Sequence, residues 1–178
     1  VYDGVTGHPN APAGFYVSRS HAEDGSPRPM LSTQFEPAYA RMMAPLVDEP
    51  GEKARFRLSV VTLDDKVTAI SNMPAEHAFQ RLDGRREVRF AETPRMSTYL
   101  LYIGMGQFDY LEDKLGGTAL RIVAPPGKAQ HGEFALEAAK KFLGFYEKYF
   151  GIKYPLPKLD LIAVPDFGSG AMENWGAI

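Results

Sequence analysis

The sequence of 178 residues contains no cysteine, which excludes disulfides, thiolate metal sites and cysteine nucleophiles. It also lacks a run of about eighteen apolar residues, the length that would let a helix cross a bilayer. The net charge is only −2, whereas binding to nucleic acid needs a basic face that neutralises phosphates. We therefore expect neither a membrane-spanning segment nor a nucleic-acid partner.

Signals of a natural start and end are also missing. The chain begins at Val1, without an initiator methionine and without a basic region followed by an apolar one. It stops at Ile178 within an apparently extended segment. We expect an internal start and a fragment of a longer protein. The sequence does not reveal the cellular compartment, although the cytoplasm is favoured.

Pairs of histidine with metal-ligand spacing are absent. The four histidines are His8, His21, His77 and His131, and none has a second histidine four residues away. The H-E-x-x-H pattern, which places two zinc ligands on one helix face, is therefore not present. We interpret all four as ordinary surface histidines. The prediction is that this chain alone contains neither metal ligands nor catalytic residues.

Strand-like patterns fill the first two thirds of the chain. Fourteen prolines and seventeen glycines favour many turns and short strands. Between Arg55 and Leu63 the residues alternate, which places Phe56, Leu58, Val60 and Thr62 on one face of a strand. A turn at 64–66 and a partner strand at 67–70 are predicted to follow. Further strands are predicted at 14–17 (an edge strand), 86–90, 98–106 and 118–123, and their spacing favours an antiparallel sheet or sandwich.

The period of the pattern changes after Pro125-Pro126-Gly127. From His131 to Phe150 apolar residues recur at the spacing of an amphipathic helix: Phe134, Ala138, Phe142, Tyr146 and Tyr149. Gly151 is placed for a left-handed C-cap, and Pro155 prevents continuation. Residues 159–164 then form a strand that ends at Pro165. The predicted fold is mainly β, with one helix and one further strand near the end.

A glycine-rich stretch, residues 168–174, follows that strand. Three small residues, Gly168, Ser169 and Gly170, allow another backbone to come close. If the stretch is an extended edge, a peptide can pair with it as an added strand. The Glu173 carboxylate would then be placed to accept charge-assisted hydrogen bonds from a cation. The alternative is a tight loop with an exposed glutamate, and the residues alone leave both open.

A second candidate consists of Gln34 and Glu36. The two residues are two positions apart, so on a strand they point to the same face. Together they would offer several acceptors to an ammonium group. The alternative is a solvated strand face ahead of a turn at Pro37, and this choice also stays open.

The glycine-rich stretch also carries a resemblance, together with several upstream segments in the same order. Residues 170–174 read G-A-M-E-N and are followed by Trp175 and Gly176. The upstream segments are 33–37, 40–41, 48–50, 71–74, 93–100, 145–151 and 155–160. Taken together, these residues resemble the aminopeptidase-N-like zinc metallopeptidases, a family that includes leukotriene hydrolase and the tricorn-interacting factors.

The resemblance implies a domain organisation. Residues 1–121 would be the latter part of a β-rich amino-terminal domain, an antiparallel sheet or sandwich. Residues 122–178 would begin a thermolysin-like α+β catalytic domain and reach its exopeptidase motif. The zinc-binding helix, a third glutamate ligand and a tyrosine would lie after Ile178. The implied cofactor is zinc in the intact enzyme, with none bound to this chain, and the remainder of the catalytic domain is an implied partner.

The resemblance also implies roles for individual residues. Glu173 would bind the free α-amino group of a peptide substrate, and Glu36 would be its second anionic contact. Gln34 would line the first side-chain pocket, and Gly170 and Ala171 would offer backbone groups to the peptide. Met172 and Asn174 complete the substrate-binding motif.

The implied function is therefore part of a zinc aminopeptidase that releases amino-terminal residues from peptides. A non-catalytic binding or structural domain from a truncated gene product is the alternative. Epoxide hydrolysis of the leukotriene type would need the same zinc site.

Overall fold

The computed structural model describes residues 4, 6–7, 12–22 and 24–178, so the prediction for His8 lies outside the described residues. Within them the chain forms ten strands and one α-helix, which confirms the predicted mainly β fold with a single helix. That helix is not apolar enough to cross a membrane.

The strands are β1 (Gly14–Ser18), β2 (Met30–Gln34), β3 (Ser59–Thr62), β4 (Thr68–Ser71), β5 (Ala75–Gln80), β6 (Arg86–Phe90), β7 (Ile103–Gly106), β8 (Asp109–Leu115), β9 (Thr118–Ala124) and β10 (Lys158–Ile162). They form three sheets, in the orders β1-β2-β7-β4, β3-β6-β5 and β10-β9-β8. Strand β1 is at an edge, as predicted. Strand β7 is shorter than predicted, because 98–100 form a short 3₁₀ turn.

Alternation along β3 is confirmed, but its predicted pairing is wrong. Val60 and Thr62 are buried whereas Val61 is exposed, and a turn forms at Asp64, whose carboxylate accepts from the Lys66 backbone N–H at 2.8 Å. The strand after the turn, β4, pairs with β7, while β3 pairs with β6. The reason is packing, since Val60 and Ala69 belong to one buried cluster. The turn carries the chain across this core to the facing sheet.

Helix α1 (Glu133–Phe150) connects β9 to β10, which pair in parallel. A parallel pair requires such a crossover. The predicted C-cap is confirmed, because Gly151 has φ +66°. The predicted apolar stripe, however, is exposed rather than packed on the sheet: Phe134 and Tyr149 are 84% and 70% exposed. Leu136 and Leu143, on another side of α1, contact the sheet instead.

A buried cluster joins the first sheet to the last. Met30, Ile70 and Tyr102 come from β2, β4 and the segment before β7, and they pack with Val123 of β9 and with Ala177. The end of the chain is therefore held against the first sheet. The domain boundary at 121 stays a prediction.

Candidate functional site

The glycine-rich stretch leaves β10 through a turn at Pro165 and Asp166 and forms no regular strand over residues 167–174. Met172 and Asn174 are 6% and 4% exposed, whereas the residue before each of them, Ala171 and Glu173, is exposed. Such alternation is that of extended chain with one face inward. The Glu173 side chain therefore points outward from a segment whose other face is packed.

Residues 175–178 then return to the edge of β10. The Gly176 carbonyl accepts from the Asp160 N–H at 3.0 Å, and the Ile178 N–H donates to the Asp160 carbonyl at 2.9 Å. Asp160 and Ala177 form a parallel bridge. Residues 176–178 thus pair with this part of the β10 edge and occupy its backbone hydrogen-bonding groups.

Three hydrogen bonds connect the first sheet and its adjoining segments to the chain before the stretch, at its last residue and directly after it. The Ser18 hydroxyl on β1 donates to the Pro165 carbonyl. The Asn72 side-chain amide donates to the Trp175 carbonyl at 2.9 Å. The Asn174 amide donates to the Tyr99 carbonyl at 3.4 Å. Both ends of the stretch are therefore fixed.

A buried ion cluster lies below the end of the stretch. Arg121 on β9 is directly opposite Asp160 on β10, and its guanidinium donates to both carboxylate oxygens at 2.7 and 2.6 Å. The Lys158 ammonium donates to Asp160 at 2.8 Å and to the Gly176 carbonyl at 2.7 Å. Burial lowers the pKa of Lys158, and the charge of Asp160 opposes this shift. The cluster holds the turn at Gly176 from below.

A cleft of about 640 Å³ lies beside the stretch. Its wall includes Gly170, Ala171, Met172 and Asn174, together with Thr33 of β2. Glu173, Gln34 and Glu36 are not among the cleft residues. The structure therefore brings four of the predicted site residues to one cleft. Gln34 and Glu36 are one and three residues after Thr33, which lines the same cleft.

The side chains of Gln34 and Glu36 differ in environment. Gln34 ends β2 and is partly buried, whereas Glu36 is exposed and precedes a cis peptide bond to Pro37. The Gln34 side-chain oxygen is buried and has no hydrogen-bond partner among the described residues. Within the same residues, neither Glu36 nor Glu173 takes part in a side-chain hydrogen bond or salt bridge. Both carboxylates are thus available to a ligand, and their joint action stays a prediction.

The described residues contain no group of three or more histidine, aspartate or glutamate side chains that could hold a metal ion. His21, His77 and His131 are exposed, which confirms their interpretation as surface histidines. The residues that the structure describes therefore do not fit a catalytic zinc ion.

Sequence reasoning missed the residues that fix the stretch, namely Asn72, Lys158 and Asp160. One signal was available for the last two: a lysine and an aspartate two apart in a strand that is otherwise apolar share one face. Asn72 gave no such signal, because only the fold brings it to Trp175.

The turn at Gly176 gives a direct test of this close packing. Gly176 has φ +72°, and a Cβ there would lie 2.4 Å from the Asn72 carbonyl oxygen. We expect Gly176→Ala to lower the free energy of unfolding by about 2–3 kcal/mol, from backbone strain and overpacking together. Gly116→Ala is the control, since Gly116 has φ +56° with open space around it, and should lose about 1 kcal/mol. Equal losses in urea denaturation would contradict the close contact.

Comparison with known proteins identifies two domain families whose sequence models match this chain. The sequence model of the Peptidase M1 N-terminal domain matches residues 6–100, and that of the Peptidase family M1 domain matches residues 134–178. "Probable aminopeptidase 2" of Sulfurisphaera tokodaii is 52% identical over 149 residues, which are 84% of this chain and 19% of the relative.

Two further relatives show similar identity. "Aminopeptidase N" of Acetobacter pasteurianus is 46% identical over 168 residues, covering 94% of this chain and 47% of the relative. "Tricorn protease-interacting factor F2" of Thermoplasma acidophilum is 49% identical over 165 residues, covering 93% and 20%. The chain thus spans about a fifth to a half of these relatives' lengths. On the strength of both domain matches and these identities, the chain belongs to peptidase family M1.

Proposed function

We propose that this chain recognises the free amino terminus of a peptide, as part of a zinc-dependent aminopeptidase that hydrolyses the amino-terminal residue. The observation that carries the proposal is the Glu173 carboxylate, which is exposed and unpaired among the described residues, on a segment fixed at both ends. The names of the relatives support the same reaction, because two of the three named above are called aminopeptidases.

The chemistry of this recognition is charge-assisted hydrogen bonding. A substrate ammonium has three donors, and the exposed carboxylates of Glu173 and Glu36 are anionic acceptors. The orphaned side-chain oxygen of Gln34 would gain a donor when a ligand binds beside β2. Two carboxylates that grip one ammonium would place only the first peptide bond at a reaction centre supplied by other residues.

The exposed backbone of Gly170 and Ala171 would contact the peptide itself. Neither residue has a side chain large enough to cover its own N–H and C=O groups. A peptide that runs along this stretch can therefore make main-chain hydrogen bonds with it. The adjoining cleft would accept apolar parts of the substrate, since Met172 and Ala177 form part of its wall.

A binding experiment on the chain tests the proposal. We expect a short peptide with a free amino terminus to shift the NMR amide signals of Ala171 and Glu173, and the same peptide with an acetylated terminus to leave them unchanged. Equal shifts from both peptides would contradict recognition of the amino group and favour a general binding or structural role.

Metal and activity assays test the enzymatic part. We expect this chain by itself to bind no stoichiometric zinc and to cleave no aminoacyl reporter, since its described residues do not fit the metal. The longest protein encoded by the same reading frame is expected to bind zinc and to cleave the reporter. One tightly held zinc per chain in the 178-residue protein would overturn the first expectation, and an inactive long protein the second.

A further inference from the structure

We infer that Asn72 is a positioning residue for the Glu173 carboxylate, acting through the Trp175 carbonyl across the space between the first sheet and the end of the chain. The inference deepens the proposed function and rests on it for its catalytic consequence. Its structural part, that Asn72 fixes the segment containing Glu173, stands on the contacts alone.

The Asn72 side chain is buried and fully hydrogen-bonded. Asn72 follows β4, is 1% exposed, and its side-chain oxygen accepts from the Tyr102 N–H at 2.8 Å. Its amide group donates to the Leu100 carbonyl at 2.8 Å and to the Trp175 carbonyl at 2.9 Å. Both amide protons are therefore used. A buried side chain held by three bonds has one orientation and is a rigid anchor.

The bond from Asn72 to the Trp175 carbonyl forms where the backbones of residues 72 and 176 lie close together. Gly176, the next residue, lies so near Asn72 that a Cβ would meet the Asn72 carbonyl oxygen. On its other side the Gly176 carbonyl accepts from the Lys158 ammonium. The turn at 175–176 is thus gripped from the first sheet by Asn72 and from β10 by Lys158.

The hydrogen bonds to Trp175 and Gly176 also restrict the position of Glu173. Two residues of extended chain span about 7 Å, so the Glu173 backbone lies only about 7 Å along the chain from Trp175, whose carbonyl is held by Asn72. Asn174 lies between them and is buried; its side chain makes only a long bond of 3.4 Å to the Tyr99 carbonyl, while its own carbonyl accepts from the Ala177 N–H at 3.0 Å. Without Asn72, residues 174 and 175 would keep only the longer Asn174–Tyr99 bond as a side-chain hydrogen bond to residues 72–102. Displacement of a binding group by about 1 Å is enough to impair catalysis about a hundredfold.

A hydrogen-exchange experiment on the chain tests the structural part. We expect Asn72→Ala to speed exchange of the Ala177 and Ile178 amides about tenfold or more, because buried carbonyls lose their donor and the turn opens locally. Ser71→Ala is the matched control: Ser71 is similarly buried and donates to the Tyr102 carbonyl at 2.6 Å, but its side chain makes no hydrogen bond to residues 175–178. It should change these amides by only about twofold.

Exchange of the β6 amides, in another sheet, corrects both variants for any global change in stability. If Asn72→Ala does not fold, Asn72→Ser serves, since one hydroxyl can donate to only one of the two carbonyls, and a smaller change in the same direction is expected. Equal exchange at Ala177 and Ile178 in the Asn72 and Ser71 variants would overturn the inference.

A double-mutant cycle tests the link to Glu173. With binding of a free-amino peptide as the readout, Asn72→Ala should weaken binding about tenfold in the presence of Glu173 and change it little in a Glu173→Ala background. Acetylated peptide should respond to neither change. Additive losses would show that Asn72 acts on stability and not on Glu173. Lack of preference for the free amine in the unaltered chain would instead contradict the proposed function, while the exchange result would still stand.

Discussion

Replacement of Asp160 by asparagine is expected to lower the free energy of unfolding by about 3–5 kcal/mol, the range for removing one member of a buried ion pair. The Asp160 side chain is fully buried and neutralises two cations, Arg121 and Lys158. Asparagine keeps the shape but removes the charge. Lys158, with its side chain only 5% exposed, would then be a buried ammonium without a counter-ion, which is costly in a medium of low polarity.

The matched control for this substitution is Asp113→Asn. Asp113 makes one salt bridge of 2.6 Å to Lys140 at the surface, where both side chains are about 40% exposed. Exposed pairs contribute only about 0–1 kcal/mol, so the control should be nearly neutral. Urea denaturation at neutral pH measures both. Equal, small losses of unfolding free energy in the two variants would show that water or a rearrangement compensates for the missing Asp160 charge.

Replacement of Glu173 by alanine is expected to lower kcat/KM for substrates with a free amino terminus by about ten- to a hundredfold, in the longest protein of the same reading frame. A charge-assisted hydrogen bond contributes about 1.5–3 kcal/mol, which converts to that range. In the 178-residue chain the same substitution should weaken binding of a free-amino peptide by a similar factor. Stability should hardly change, because Glu173 is exposed and its side chain makes no hydrogen bond or salt bridge among the described residues.

Glu137→Ala is the control for Glu173→Ala. Glu137 is an exposed glutamate on α1 whose only salt bridge in the described chain, at 3.5 Å, is to Lys141 four residues on. It should alter neither kcat/KM nor peptide binding. Near-wild-type kcat/KM in the Glu173 variant would remove this carboxylate from the recognition of the amino group.

The comparison of α1 with its predicted pattern shows where sequence reasoning stops. Helical spacing identified the helix and its C-cap, since these depend on residues close together in the chain. It singled out the aromatic side, yet Phe142 is 62% exposed and Leu136 7% exposed. Helical period alone does not say which of two apolar sides will meet the sheet. That choice depends on which side packs on β9, and it is Leu136 that packs with Leu120 and Ile122.

The connection between β3 and β4 shows the same limit of local sequence patterns for strand pairing. Local residues specified the turn at Asp64 and the alternation around Val60. They did not specify the partner strand, because pairing depends on which surfaces are buried together. Val60 of β3 and Ala69 of β4 belong to one buried cluster although the two strands lie in different sheets, an arrangement that no local pattern distinguishes from a hairpin.

The sequence by itself determined the fold class, the family resemblance and the identity of the candidate recognition residues, because these follow from residue types and their order. Only the tertiary structure decided how the 168–174 stretch is held. It placed Asn72 on the Trp175 carbonyl and Lys158 on the Gly176 carbonyl, so that an apparently loose, glycine-rich end becomes a fixed segment with Glu173 facing outward. The physical reason is that these contacts join residues far apart in the chain, and their partners are backbone carbonyls, which every residue has and no sequence pattern marks.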